Sequence, residues 1–172
     1  MDLKNSLQKK ADDLAEKAKN LPSIEIKWEN PIILNCDQMD ASIVPDFKNN
    51  KDNPSIYFFK ITNKISSEKV VKTLKEYKAT KKHACPKIDD RSLDSIYLYC
   101  GSIKKDLHKR LKEHLGFGSE TTFALHLKHW TEGLGLTLEF NYAWLDKKYI
   151  DYTELVESAL AMELKPLVGK LA

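Results

Sequence analysis

The sequence has few cysteines, no long apolar run and little net charge. Its 172 residues include three cysteines, Cys36, Cys85 and Cys100, whose spacing matches no metal-binding motif. No apolar stretch follows the lysine-rich N-terminus, so we expect no signal peptide. This, together with the odd number of cysteines, predicts a location in the reducing cytoplasm. The longest apolar runs are far too short to span a bilayer, so we expect no membrane partner. A formal net charge of +3 does not by itself indicate a nucleic-acid-binding protein.

What the chain does contain is typical of a globular domain. Hydrophobic residues make up 42% of the sequence and charged residues 31%, enough for one domain with a substantial core. Helical and strand-like periods alternate with short connections, which predicts an α+β or α/β fold with a small central sheet flanked by helices. Helices are predicted over residues 5–21, 66–78, 104–115, 122–130 and 151–164, and strands within 23–35, 55–62, 95–100 and 136–145.

The predicted N-terminal helix has a narrow apolar stripe. Its members alternate spacings of four and three residues: Leu7, Ala11, Leu14, Ala18 and Leu21. The preferred interpretation is that this stripe packs on the body of the same chain. The alternative is a self-association surface, because the spacing resembles about two heptads. The second interpretation predicts a homodimer through the N-terminal helix.

Five residues distributed along the chain have side chains suited to phosphate chemistry. Arg110 and His114 lie four residues apart on a predicted helix, so both can point at one target. A predicted strand ends just before that helix at Tyr99, and Tyr57 lies in an earlier strand. Glu157 lies on the last predicted helix, in an apolar setting.

Together these residues resemble the GIY-YIG nuclease family. Ser55-Ile56-Tyr57 corresponds to the first motif, with Ser in place of the usual Gly, and Tyr99-Cys100-Gly101 corresponds to the second. The helix that carries Arg110 and His114 follows, as in the family. Glu157 precedes Pro166 by nine residues, as the family's metal-binding glutamate does, but Gly169 stands where the family has Asn. The match extends over residues 54–170.

The resemblance implies a division of the chain. Residues 1–53 would form an N-terminal extension, and residues 54–172 the nuclease-like core. The polar segment 46–54 is the predicted boundary between the two. The family usually joins its first two strands by a short hairpin, so residues 66–91 are interpreted as an insertion. The two strands are still expected to pair, since the cost of loop closure grows only slowly with length.

The resemblance also implies a chemistry, namely Mg²⁺-dependent (or Mn²⁺-dependent) hydrolysis of DNA. Glu157 would bind the metal, and Arg110 would hold the scissile phosphate through its planar fork. Tyr57 is the preferred general base, with Tyr99 orienting water or phosphate. Tyr97 is a rival for the role of Tyr99 because residues two apart share a strand face. His114 would bind phosphate or relay a proton. Alternatively, Arg110 and Glu157 are ordinary surface residues. The alternative for His114 is a histidine at a helix C-terminus that the helix dipole stabilises.

Basic residues near these motifs predict a surface for duplex or branched DNA. Lys104, Lys105 and Lys109 surround the helix of Arg110, while Lys81 and Lys82 lie in the insertion. A merely solubilising role for these lysines is an equal alternative. His126 and His129 have no matching third ligand in the sequence, so we interpret them as helix-surface or packing residues.

The sequence therefore predicts a metal-dependent DNA endonuclease. The alternative from another functional class is a nucleic-acid-binding module that keeps the fold without cleaving. A third possibility is a small interaction protein that uses the N-terminal helix. Convergence of Tyr57, Tyr99, Arg110 and Glu157 around one cleft would favour the first. A basic surface with Glu157 pointing elsewhere would favour binding without cleavage.

Overall fold

A computed structural model of the chain describes residues 3–20, 24–90 and 93–169. Within these ranges the fold is α+β, as predicted, with a four-stranded antiparallel sheet and four α-helices. In chain order the elements are α1 (Leu3–Asn20), β1 (Ile32–Asn35), β2 (Ser55–Ile61), α2 (Ser67–Ala79), β3 (Tyr97–Ile103), α3 (Leu107–Leu115), β4 (Thr137–Trp144) and α4 (Thr153–Leu164). Leu21, Arg91 and Lys170, which the sequence predictions include, lie outside the described residues.

The sheet has the strand order β1-β4-β2-β3. The predicted pairing of β2 with β3 is confirmed, and Tyr57 lies opposite Gly101 and Phe59 opposite Tyr99. On its other side β2 pairs with β4, which places Tyr57 in the middle of the sheet. Strand β1, from the predicted N-terminal extension, forms the far edge by pairing with β4. The division into residues 1–53 and 54–172 stays a prediction.

Helices cover both faces of the sheet. Side chains of α2 and α3 pack with Phe59 and Phe140 in the main core on one face. A smaller cluster on the other face joins Ile56 and Ala143 of the sheet to Val156 of α4. Because residues alternate along a strand, Tyr57 points towards α2 and α3, whereas Ile56 points towards α4.

The insertion between β2 and β3 is part of this core. Helix α2 begins after Ser66, whose hydroxyl accepts a hydrogen bond from the Lys69 amide as an N-cap. Its residues Val70, Val71 and Leu74 are buried in the main core. The insertion is therefore anchored in the core through α2, and Lys81 and Lys82 lie exposed in the loop that follows this helix.

Three local predictions were wrong. Residues 122–130 form no α-helix, because their backbone amides bind distant groups: the Ala124 amide donates to the Ala84 carbonyl, and the Leu125 amide donates to the His114 ring. Only a short 3₁₀ turn, Leu127–His129, remains. Residues 24–26 form no strand, since the chain meets β4 only from Trp28 onward.

The third error concerns the N-terminal helix α1, which forms as predicted but leaves Leu7, Ala11 and Leu14 of its apolar stripe exposed. Leu7 and Leu14 are more than half exposed, so packing of these side chains on the body of the chain is wrong. Self-association through this stripe stays a prediction. Among the described residues no helix is long and apolar enough to cross a membrane. The three cysteines are buried free thiols.

Candidate active site

Tyr57 is fully buried at the centre of the sheet. The residue that pairs with it on β3 is Gly101, and only a glycine fits there. A Cβ atom on Gly101 would lie 2.7 Å from Tyr57 Oη and 2.8 Å from Cε1 of Tyr99. Real Cβ contacts are essentially never that short, so a larger residue would displace one of the two rings. Gly101 thus provides the space in which the two tyrosines lie side by side.

His114 of α3 is fully buried and contacts Tyr57 through a defined ring nitrogen. Its Nδ1 accepts a hydrogen bond of 3.2 Å from the Leu125 amide, and its Nε2 lies 3.0 Å from Tyr57 Oη. Burial and the nearby Arg110 charge hold the pKa of His114 well below its ordinary value, so the ring is neutral. A neutral ring that accepts at Nδ1 carries its proton on Nε2, and we therefore assign Nε2–H as a donor to Tyr57. The alternative of a dipole-stabilised helix-terminal histidine is wrong.

Arg110 donates three hydrogen bonds from a largely buried guanidinium. Its Nε donates to Tyr57 Oη, its Nη1 to Glu113 Oε2 and its Nη2 to the Phe123 carbonyl, each at 3.0 Å. The guanidinium is thus fixed on three sides. These bonds use three of its five N–H groups, and the Tyr99 hydroxyl is a further hydrogen-bonding neighbour of the guanidinium.

These contacts determine the chemistry of the Tyr57 hydroxyl. Its oxygen accepts hydrogen bonds from Arg110 Nε and from His114 Nε2, which occupy both acceptor positions of a phenol. Its own proton must therefore point in a third direction. Burial raises the pKa of Tyr57 well above its ordinary value, and the Arg110 charge opposes that rise without cancelling it. Tyr57 is a neutral phenol in the free protein, with two donors ready to stabilise negative charge on its oxygen.

Tyr99 belongs to the same cluster, and Tyr97 does not. The Tyr99 ring centroid lies 4.8 Å from that of His114 and 6.3 Å from that of Tyr57. The β2–β3 register shifts after Phe59, so Tyr97 falls on the opposite face and contacts Phe58 instead. The prediction that Tyr97 and Tyr99 share a face is therefore wrong, and Tyr97 is removed as a rival.

Glu157 reaches the same region from α4. Its carboxylate accepts a hydrogen bond from the Ser102 hydroxyl and is 8% exposed. Ser102 points to the other face of the sheet from Tyr57, yet the Glu157 charge is near enough to contribute to the raised pKa values of Tyr57 and Tyr99. Tyr57, Tyr99, Arg110 and His114 thus come together on one face of the sheet. Glu157 lies on the face that α4 covers, with the Ser102 hydroxyl.

The residues present fit a magnesium ion in one limited way. No group of three histidine, cysteine, aspartate or glutamate side chains suited to a metal occurs in the described ranges. Glu157 and Ser102 nevertheless offer oxygen donors of the kind that Mg²⁺ prefers, and one carboxylate suffices when water and phosphate oxygens complete the shell. Glu157 is therefore the residue of this chain that would hold such an ion.

The two departures from the family pattern have different surroundings. Gly169 has φ +125°, and a Cβ atom there would lie 3.1 Å from Cε2 of Tyr99. A side chain at this position would press on the Tyr99 ring and would adopt a backbone conformation that favours glycine. Ser55 is fully buried, and its hydroxyl has no hydrogen-bond partner among the described residues.

The predicted nucleic-acid-binding lysines are all exposed: Lys81, Lys82, Lys104, Lys105 and Lys109. Lys109 lines a cavity of about 570 Å³ with Lys51, Lys112 and Phe47, whereas Lys81 and Lys82 line another with Phe123. Phe123 lies in the segment for which a helix was predicted, and its side chain is 69% exposed. Nothing in the sequence indicates that this side chain is exposed, because the path of its segment is set by hydrogen bonds to distant residues.

His126 and His129 have a neighbour that the sequence analysis missed. The His83 ring centroid lies 4.6 Å from that of His126 and 4.4 Å from that of His129. Tyr77 Oη is hydrogen-bonded to His83 Nδ1. His126 is fully buried, which confirms its interpretation as a packing residue.

Comparison of the chain with protein-family models, with curated proteins and with solved structures found no significant match. The resemblance to the GIY-YIG family therefore depends on the named residues and on their geometry.

Proposed function

We propose that this protein is a metal-dependent endonuclease of the GIY-YIG type that hydrolyses phosphodiester bonds in DNA. One observation carries the proposal: Tyr57 Oη accepts hydrogen bonds from both Arg110 and His114. A proton-bearing group held beside a fixed cation suits phosphodiester hydrolysis, and Glu157, on the α4 side of the sheet, would add the anionic ligand for a metal ion.

Tyr57 is the proposed general base. Donation from Arg110 Nε and His114 Nε2 stabilises the phenolate that forms when the tyrosine loses its proton. Because Tyr57 is fully buried in the free protein, the proposal requires that substrate binding open the site to an attacking water. Glu157 opposes phenolate formation, because its negative charge contributes to the raised pKa of Tyr57. When bound at Glu157, Mg²⁺ or Mn²⁺ would supply compensating positive charge and Lewis acidity towards the phosphate.

Arg110 and Tyr99 have positioning roles in this proposal. Arg110 would bind oxygens of the scissile phosphate with N–H groups outside the three hydrogen bonds that hold the guanidinium in place. Tyr99, stacked at 6.3 Å from the Tyr57 ring, would orient the water or the phosphate. His114 fixes the Tyr57 hydroxyl, because its only remaining ring proton is committed to that oxygen.

The test is nicking of supercoiled plasmid DNA with Mg²⁺, with Mn²⁺ and with a chelator. Glu157→Gln should abolish nicking but leave the melting temperature and DNA affinity nearly unchanged, since Gln can still accept the Ser102 hydrogen bond. Glu154→Gln is the matched control, because Glu154 lies one turn earlier on α4 and is exposed. Undiminished nicking by pure Glu157→Gln protein would contradict the metal assignment.

A second candidate function is nucleic-acid binding without cleavage. The observation that favours it is the closed state of the site: Tyr57 is fully buried and Arg110 is held by Glu113 and by the Phe123 carbonyl. A protein that binds plasmid tightly but produces no nicks with either metal ion would support this candidate and contradict the first.

A further inference from the structure

An exposed aromatic ring adjoins the candidate active site. Phe123 is 69% exposed, although its own backbone carbonyl accepts a hydrogen bond of 3.0 Å from Arg110 Nη2. The backbone around it is fixed to the insertion, since the Ala124 amide donates to the Ala84 carbonyl and the Ala84 amide donates to the Glu120 carbonyl. The backbone that carries the ring is therefore held in place relative to the site arginine, while most of the side chain is exposed to solvent.

The surroundings of this ring are positively charged. Phe123 lines a cavity of about 520 Å³ together with Lys78, Lys81 and Lys82. Glu120 is the one carboxylate among the described residues that line it. Burial and the nearby charges lower the pKa of His83, another lining residue, so it adds no charge near neutral pH. Three cations and one anion give the cavity a net positive charge that suits a polyanion.

We propose that Phe123 is a stacking platform for an unpaired base of the nucleic-acid substrate, with the lysines of the cavity holding the backbone of that single-stranded segment. An aromatic side chain in a basic groove is how proteins bind single strands without reading their sequence. The inference rests on the proposed function for the identity of the ligand, and it adds the substrate class. The preferred substrate then has an unpaired strand next to the cleaved bond, as branched or flapped DNA does.

A continuous duplex does not suit this surface. Bases within a duplex are already stacked on both sides, so an exposed ring on a rigid loop gains little from them. A base at a branch or in a single strand has a free face. Phe123 should therefore contribute to the binding of a single strand and contribute little to the binding of blunt duplex.

The test uses full-length Glu157→Gln protein, so that binding is measured without cleavage. Affinities for a fluorescein-labelled single strand and for a blunt duplex are compared by anisotropy, and stacking is followed with 2-aminopurine in the strand. Phe123→Ala should weaken single-strand binding roughly 5- to 150-fold and leave duplex binding unchanged. Phe123→Trp should restore both the affinity and the 2-aminopurine quenching.

The lysines and a distant apolar residue provide the controls. Lys81→Ala with Lys82→Ala should weaken binding of both ligands and lower the salt dependence by about one unit of slope for each phosphate that is no longer neutralised. Ile33→Ala should change nothing, because Ile33 is exposed on β1 at the opposite edge of the sheet. Equal binding by Phe123→Ala and its parent would overturn the inference, and absence of binding to either ligand would overturn the proposed function itself.

Discussion

Two histidine-containing clusters lie side by side in this protein and differ in how their nitrogens are used. In the site cluster (Tyr57, Arg110 and His114), both nitrogens of the histidine ring have hydrogen-bond partners. In the histidine cluster (His83, His126 and His129), the rings pack at 4.4 and 4.6 Å, and the buried Nδ1 of His126 has no partner among the described residues.

The difference shows what makes a buried polar group chemically useful. Hydrogen bonds have direction, and in the site cluster two donors converge on one oxygen, Tyr57 Oη. In the histidine cluster the rings pack against one another and join the insertion to the loop after α3, but their hydrogen bonds do not converge on one atom. We therefore expect substitutions in the site cluster to affect turnover and those in the histidine cluster to affect mainly stability.

The largest expected effect comes from removing the convergent oxygen. Tyr57→Phe should lower the rate of plasmid nicking by about 10²- to 10⁴-fold, the usual contribution of a positioned base. It should also cost about 1–3 kcal/mol of unfolding free energy, because Arg110 Nε and His114 Nε2 lose their acceptor. Rates are measured under single-turnover conditions, and stability by urea unfolding.

Tyr77→Phe is the matched control for that change. It removes the hydroxyl that is hydrogen-bonded to His83 Nδ1 in the histidine cluster. Nicking should stay within about twofold of the parent, because this hydroxyl lies outside the site cluster. Similar losses of nicking in both variants would remove the proposed distinction between the clusters.

A smaller effect is expected from the glycines that adjoin each cluster. Gly101→Ala would place a methyl group 2.7 Å from Tyr57 Oη, so it should cost about 1–3 kcal/mol of stability and also reduce nicking. Gly116→Ala would contact the His129 ring at 3.1 Å from a backbone with φ +96°. This change should lower the unfolding free energy by about 1–2 kcal/mol and leave the nicking rate per folded molecule unchanged. Unchanged nicking by Gly101→Ala would contradict the requirement for close tyrosine packing.

The smallest effect is a shared pH dependence of stability. Burial lowers the pKa values of His114, His83 and His129 in the folded protein, most strongly for His114. The unfolded chain therefore binds more protons below about pH 6.5, and the unfolding free energy should fall as the pH decreases from there. Each histidine contributes a slope of at most about 1.4 kcal/mol per pH unit.

Urea unfolding between about pH 7.5 and 5 measures this slope. His83→Gln should reduce the slope only slightly. Burial lowers the pKa of His83, with smaller contributions from His126 and Lys82, and Glu120 opposes that shift. His114→Gln should reduce it most, since His114 is fully buried beside Arg110. A larger reduction for His83→Gln than for His114→Gln would contradict the expected order.

The sequence by itself determined the main helices and strands and indicated the candidate site residues. Apolar periodicity located β2, α2, α3 and β4 to within a few residues, because each buries a face whose spacing is visible in the chain. The spacing of Arg110 and His114 indicated a shared helix face, and both side chains contact Tyr57 Oη.

Only the tertiary structure decided which of these residues are in contact and which side chains of the loops are exposed. The shift in the β2–β3 register that separates Tyr97 from Tyr99 depends on a strand about forty residues away, and local sequence does not encode it. Residues 122–130 have helical spacing, but His114 and Ala84 bind their amides, and that competition leaves Phe123 exposed beside Arg110. Hydrogen bonds between distant segments override local propensity wherever they satisfy buried backbone groups, and for this reason the contacts within the site required the folded chain.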